Sequence, residues 1–106
     1  MKKYLQVFIF LSSIGLLYGC NSDVTEAQYL VNAQEYIDAG KMNSASNELK
    51  NLLQKNPGNQ RARFLMGQLQ LEMGNVAASE KELTKASELG VEDELVLPLM
   101  SNVLLL

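Results

Sequence analysis

The sequence predicts an all-α chain of helix–turn–helix hairpins stacked as a solenoid, and three observations carry that expectation. Shifted by 34 residues, the chain falls on itself: Gly40 lands on Gly74, Leu49 on Leu83, Glu48 on Glu82 and Gln34 on Gln68. Near-matches set the same register, with Ala33 opposite Gly67, Ala45 opposite Ser79, Leu30 opposite Phe64, Ile37 opposite Leu71 and Asp38 opposite Glu72. Small residues thus recur where two helices must approach closely, and Gly recurs where the chain must turn. Second, apolar residues recur at helical spacing within each copy; third, Asn56-Pro57-Gly58 breaks the pattern between copies.

The N-terminus precedes this pattern and differs from it. Met1-Lys2-Lys3 supplies a positive start, and Tyr4 to Tyr18 (YLQVFIFLSSIGLLY) is apolar over the length of a signal-peptide core, shorter than the roughly 20 residues of a membrane span. The stretch ends in Leu17-Tyr18-Gly19-Cys20, which resembles a bacterial lipobox, with an aliphatic residue at −3, a small one at −1 and Cys at +1. Cys20 is the chain's one cysteine, hence its one thiol for attachment of a diacylglyceryl group, and Gly19 leaves room for a peptidase to cut before it. Residues 1–19 are therefore expected to be a lipoprotein signal peptide with a signal helix, and residues 20–25 the acylated Cys and a short linker. Acyl chains bury about 0.8 kcal/mol per methylene, so two or more hold a protein on a membrane stably. Asn21, rather than Asp, follows Cys20; by resemblance to lipoproteins of Gram-negative cells this implies the outer membrane over the inner one. Removing residues 1–19 takes away Lys2 and Lys3 and leaves seven basic against twelve acidic residues, net −5.

Repeat 1 is expected over residues 26–59. Ala27, Leu30, Val31, Ala33/Gln34 and Ile37 trace a first helix, Gly40 comes next as a residue able to take positive φ, and Asn43 or Ser44 is placed to cap a second helix. That helix carries Ala45, Leu49, Leu52 and Leu53 and stops at Asn56-Pro57-Gly58. Repeat 2 is expected over residues 60–93, with Phe64, Leu65, Gly67, Leu69 and Leu71 in its first helix, Gly74-Asn75 as the turn, and Ala78, Leu83, Ala86 and Leu89 in its second, closed by Gly90. A third copy starts at residue 94, with Asp93 placed to cap; Leu97, Met100, Ser101 and Leu104 then occupy its packing positions. Residues 94–106 form the first helix of an incomplete repeat, so the expectation is an N-terminal piece of a longer array.

These residues resemble tetratricopeptide (TPR) repeats, a helix–turn–helix of 34 residues. Ala33, Gly40, Ala45, Leu49 and Pro57 fall on that pattern, with Tyr29 and Tyr36 at its aromatic packing sites; Gly67, Gly74, Ser79, Leu83 and Ala86 match in the second copy. Arg63 and Gln70 stand where aromatics are usual, and Val91 where Pro is usual. The order of lipobox then repeats, the ASEKEL block at 78–83 and the Leu97-Pro98-Leu99 run are similar to the start of TPR lipoproteins encoded with PEP-CTERM/exosortase and exopolysaccharide systems. The resemblance implies a membrane-anchored periplasmic scaffold for protein–protein interactions in exopolysaccharide export or PEP-CTERM/exosortase protein sorting. The alternative is a TPR lipoprotein of type IV pilus or outer-membrane protein assembly.

Composition narrows the chemistry further. With no His and one Cys, the chain has no imidazole base, no Ser-His or Cys-His pair and no Cys/His zinc set, so no catalytic residue, metal ligand or cofactor is expected. No basic cluster beyond Lys2-Lys3 and Arg61/Arg63 marks a nucleic-acid footprint, and no small-molecule substrate is implied. Glu92-Asp93-Glu94 is read as helix-start carboxylates rather than a calcium site. Glu80 and Glu82 are two apart on a helix and face different ways. The partners implied are therefore proteins, through the concave surface of the first helices, and the membrane, through acylated Cys20. By position the candidate contacts are Gln34 and Asp38 in repeat 1 and Arg61, Gln68 and Glu72 in repeat 2.

Overall fold

The computed structural model describes residues 23–105. The expected signal peptide and the Leu17-Tyr18-Gly19-Cys20 motif lie outside the described residues. The described residues fold into five helices: α1 (Glu26–Asp38), α2 (Met42–Lys55), α3 (Gln60–Glu72), α4 (Val76–Glu88) and α5 (Asp93–Leu105). They form two helical hairpins and the first helix of a third, as the 34-residue register requires. Each helix packs on the next. In addition α1 touches α3 and α3 touches α5, whereas α2 and α4 make no contact with each other.

The turns have one construction repeated. Gly40 has φ +73° and closes α1 with two bonds, its own N–H to the Ile37 carbonyl at 2.9 Å and the Lys41 N–H to the Tyr36 carbonyl at 2.8 Å. Gly74 (φ +80°) repeats this with Leu71 and with Asn75 on Gln70, and Gly90 (φ +98°) with Ser87 and with Val91 on Ala86. Left-handed backbone is needed at each, which glycine alone supplies without cost.

The expected caps at Asn43 and Ser44 do not form. The Lys41 carbonyl already accepts from Ala45 N–H at 3.0 Å, so α2 starts at Met42 straight out of the glycine turn and both residues lie inside its first turn. Asp93 is likewise not a cap: the Glu92 carbonyl accepts from Leu95 and Val96, so α5 begins at Asp93 and its carboxylate acts within the first turn. Side-chain caps appear instead at Thr25, which accepts from Gln28 N–H at 3.2 Å, and Asn59, which accepts from Ala62 N–H at 2.9 Å. Between α2 and α3, Asn56 Oδ1 accepts from Gly58 N–H at 3.1 Å, the local turn that Asn-Pro-Gly favours.

The core obeys the register. Ala33, Ala45, Leu49, Leu52, Ala62, Leu65, Met66 and Leu69 form one buried cluster, with Tyr29 and Tyr36 packed against it. Leu83, Val96 and Val103 form a second, flanked by Phe64 and Leu71. Each fully buried leucine contributes about 1.5–3 kcal/mol. Of the described glycines Gly67 has the nearest neighbour: a Cβ there would sit 2.5 Å from Leu83 Cδ2 and 2.7 Å from its Cγ. Ser79, also fully buried, donates its hydroxyl to the Gly67 carbonyl at 2.7 Å, so α3 and α4 meet backbone against a small side chain.

Polar contacts tie each hairpin to its own exit. Glu26 Oε1 accepts from Asn56 at 2.7 Å and Asn59 at 3.0 Å, and its equivalent Gln60 donates to the Leu89 carbonyl. The identity of Glu48 and Glu82 has the same kind of origin. Glu48 accepts from Asn32 at 3.3 Å and Glu82 from Arg63 at 2.8 Å, each carboxylate reaching back to the hairpin's first helix.

Two sets of apolar positions lie open. Val31 is 51% exposed, because its equivalent Leu65 is covered by the preceding hairpin's second helix and α1 has no such neighbour among the described residues. On α5, Val96 and Val103 are buried against the second hairpin, but Leu97 and Leu104 are 59% and 76% exposed. The stripe 97–101–104 is the one α2 covers on α1 and α4 covers on α3, and no described helix covers it.

Gly67→Ala is expected to destabilise the chain by up to about 2 kcal/mol. Overpacking costs about 1–3 kcal/mol, and the gain in helix propensity returns about 1. A urea midpoint that is raised would contradict the close approach. The Asn59 and Asn56 amides hold the Glu26 carboxyl below the ordinary carboxylate range. Its contribution is therefore present above that range and is lost as pH falls through the lowered value. Acid unfolding of Glu26→Gln should accordingly show a shallower loss of stability with falling pH than the parent; identical slopes would remove Glu26 from that role.

Candidate protein-interaction face

In α1, residues Leu30, Gln34, Ile37 and Asp38 are spaced four, three and one apart and so share one side of the helix. Phe64, Gln68, Leu71 and Glu72 repeat that stripe on α3, and the register continues it on α5 as Pro98, Asn102 and Leu105. Because α1, α3 and α5 touch in succession, the three stripes lie side by side. The result is an amide on each helix, Gln34, Gln68 and Asn102, flanked by apolar side chains.

The sequence-predicted candidates fall into this surface with different roles. Gln34 Nε2 donates to Asp38 Oδ1 at 3.0 Å, so the first pair is held together within α1. The Gln68 amide, its equivalent, has no hydrogen-bond partner among the described residues, and Glu72 is exposed on the same face. Arg61 lies on the same side of α3, seven residues before Gln68. It lines a notch of about 340 Å³ between the starts of α3 and α5, with Phe64, Val91, Glu92 and Leu95. Glu92 thus stands in the same notch as the guanidinium group, offering a partner both signs of charge.

Sequence reasoning missed two features of this face. Leu30, Ile37, Phe64 and Leu71 are half-buried, so each both packs on the core and shows a wall to the surface. Asn102 was overlooked because α5 reads as an uninterrupted apolar run; the 34-residue shift from Gln68 to Asn102 was the signal that could have found it. Tyr29 takes its expected packing role, with Lys55 Nζ over its ring at 5.2 Å. Arg63, standing where an aromatic was expected, replaces that packing with polar ties: Nε donates to the Pro57 carbonyl at 3.0 Å and Nη1 to Glu82. Among the described residues no group of acidic or Cys side chains is arranged to hold a metal ion, and no helix is long and apolar enough to cross a membrane.

The family model described as tetratricopeptide repeat matches residues 36–103. No curated protein and no solved structure matches the chain.

Two substitutions separate the surface from the scaffold. Gln68→Ala should leave stability within about 0.5 kcal/mol, as expected for an unpaired surface amide. Ser79→Ala should cost about 0.5–1.5 kcal/mol through the lost bond to the Gly67 carbonyl. Denaturant titration of both decides it, and a larger loss for Gln68→Ala would make the amide structural.

Proposed function

The chain belongs to the tetratricopeptide repeat family, and on that premise we propose that it is an envelope scaffold gripping an extended protein segment across α1, α3 and α5. The observation that carries this is the repeated apolar–amide–apolar stripe. An extended segment offers peptide groups to Gln34, Gln68 and Asn102 in turn, and amides both donate and accept, so they fit either side of a peptide bond. The flanking Leu30, Phe64 and Leu71 provide apolar area for alternate side chains of the partner. Action is by binding and positioning rather than by bond-making chemistry, since no side chain on this face is a nucleophile with an adjacent base.

The setting we propose is the bacterial periplasm. Cys20, directly after Leu17-Tyr18-Gly19, carries the acyl anchor, on the outer rather than the inner membrane, and the partner belongs to exopolysaccharide export or PEP-CTERM/exosortase sorting. The support is the order of lipobox-like motif before repeats, together with the ASEKEL and Leu97-Pro98-Leu99 runs.

Two experiments test this reading. A photo-crosslinking residue in place of Gln68 should trap a discrete protein adduct in cells, while one in place of Ser87, exposed on α4, should not; equal labelling at both sites would refute the face. Mass spectrometry of the mature N-terminus should find the diacylglyceryl group on Cys20 and none after Cys20→Ser, and an unmodified thiol would remove the anchor.

A further inference from the structure

The side of the molecule opposite the amide stripe carries a second surface. Because α2 and α4 do not touch, they stand apart over α3 and leave a cleft of about 360 Å³. Its floor is Met66, 3% exposed, with the half-buried Leu53 and Ala78 at its sides. On α3 the lining residues Arg63, Met66 and Gln70 lie across the helix from Phe64, Gln68 and Leu71, so the cleft and the amide stripe are separate faces.

The charges of this cleft run against those of the chain. The whole molecule carries net −3, yet Lys50, Arg63 and Lys81 line the cleft against a single carboxylate, Glu82. That carboxylate is already taken, 2.8 Å from Arg63, with both side chains about 15% exposed. Lys50 and Lys81 have no carboxylate within 4 Å among the described residues. Two ammonium groups therefore share one cleft without a counter-charge. The walls are fixed before any ligand arrives: Arg63 is held by Pro57 and Glu82, and Gln70 accepts from Asn75 at 2.8 Å and donates to the Met66 sulfur.

We propose that this cleft is a second docking site, and that its occupant is an acidic side chain next to an apolar one on a protein partner. The carboxylate lies between Lys50 and Lys81, and the apolar neighbour rests on Met66. A volume near 360 Å³, at the lower end of the range for small-ligand pockets, suits one or two side chains. A flat anionic membrane is the wrong partner. Met66, 3% exposed at the floor of the cleft, is out of reach of a flat surface, whereas one inserted pair of side chains reaches it.

The test monitors the methyl resonance of Met66 in the full chain, titrated with the acetylated, amidated peptide Leu-Glu-Phe-Glu. A saturable shift is expected that weakens with added salt, as exposed charge pairs do. The double variant Lys50→Gln/Lys81→Gln should weaken binding about tenfold, two exposed pairs of about 0.7 kcal/mol each, and Lys50→Arg/Lys81→Arg should retain it. Gln68→Ala, on the opposite face, should leave it unchanged, so failure here is distinguishable from failure of the amide stripe. The proposal is overturned by no saturable shift, by equal binding in the Gln double variant, or by a shift produced by phosphatidylglycerol vesicles and not by the peptide.

Discussion

The close approach of the two helices within each hairpin is the constraint on which the rest of the molecule depends. At Gly67 the α3 backbone lies so near α4 that a methyl group would collide with Leu83, and Ser79 uses the proximity to bond the Gly67 carbonyl. Ala33 and Ala45 hold the equivalent places in the first hairpin, both fully buried. With the helices this close, Leu49 and Leu83 are enclosed completely, and the first helix of the next hairpin finds a flat apolar surface for Ala62 and Leu69, or for Val96 and Val103. Larger residues at these points would splay the hairpin and unseat its neighbour.

Stacking by this route treats the two sets of helices differently. The first helices touch one another in succession, while the second helices stand apart. One side therefore becomes a continuous surface of parallel stripes, and the other a cleft floored by the intervening helix. The two faces also differ in chemistry. Amides, apolar walls and the carboxylates Asp38 and Glu72 make up the first, and unpaired lysines line the second.

Much of the fold was legible in the sequence because its determinants are local. A glycine that must take positive φ is readable at 40, 74 and 90, since the requirement lies within one turn, and Asn-Pro-Gly stops a helix in any context. Caps were read less well. Asn43 and Ser44 have the right chemistry, but the glycine turn at Gly40 feeds so directly into α2 that no capping position remains for them. Of the candidate contacts, Gln34, Asp38, Gln68 and Glu72 share one face, and Arg61 carries it on to a notch built by two helices, which no single-helix pattern shows. The apolar walls of that face and Asn102 were hidden, because a half-buried leucine looks like core and an amide in an apolar run looks incidental.

By itself the sequence determined the 34-residue period, the place of each turn and the pairing of small residues, because each is set by backbone sterics or helical spacing over a few positions. The tertiary structure alone decided which polar groups meet: Arg63 with Glu82, nineteen residues away, and Glu26 with Asn56 and Asn59, thirty and thirty-three away. It alone decided that Val31 and Leu97 are exposed while Val96 and Val103 are not, since that depends on which neighbouring helix is present. The separation of α2 from α4, and with it the lysine-lined cleft, belongs to the same class. It arises from the angle at which whole hairpins stack, which no residue or motif encodes alone.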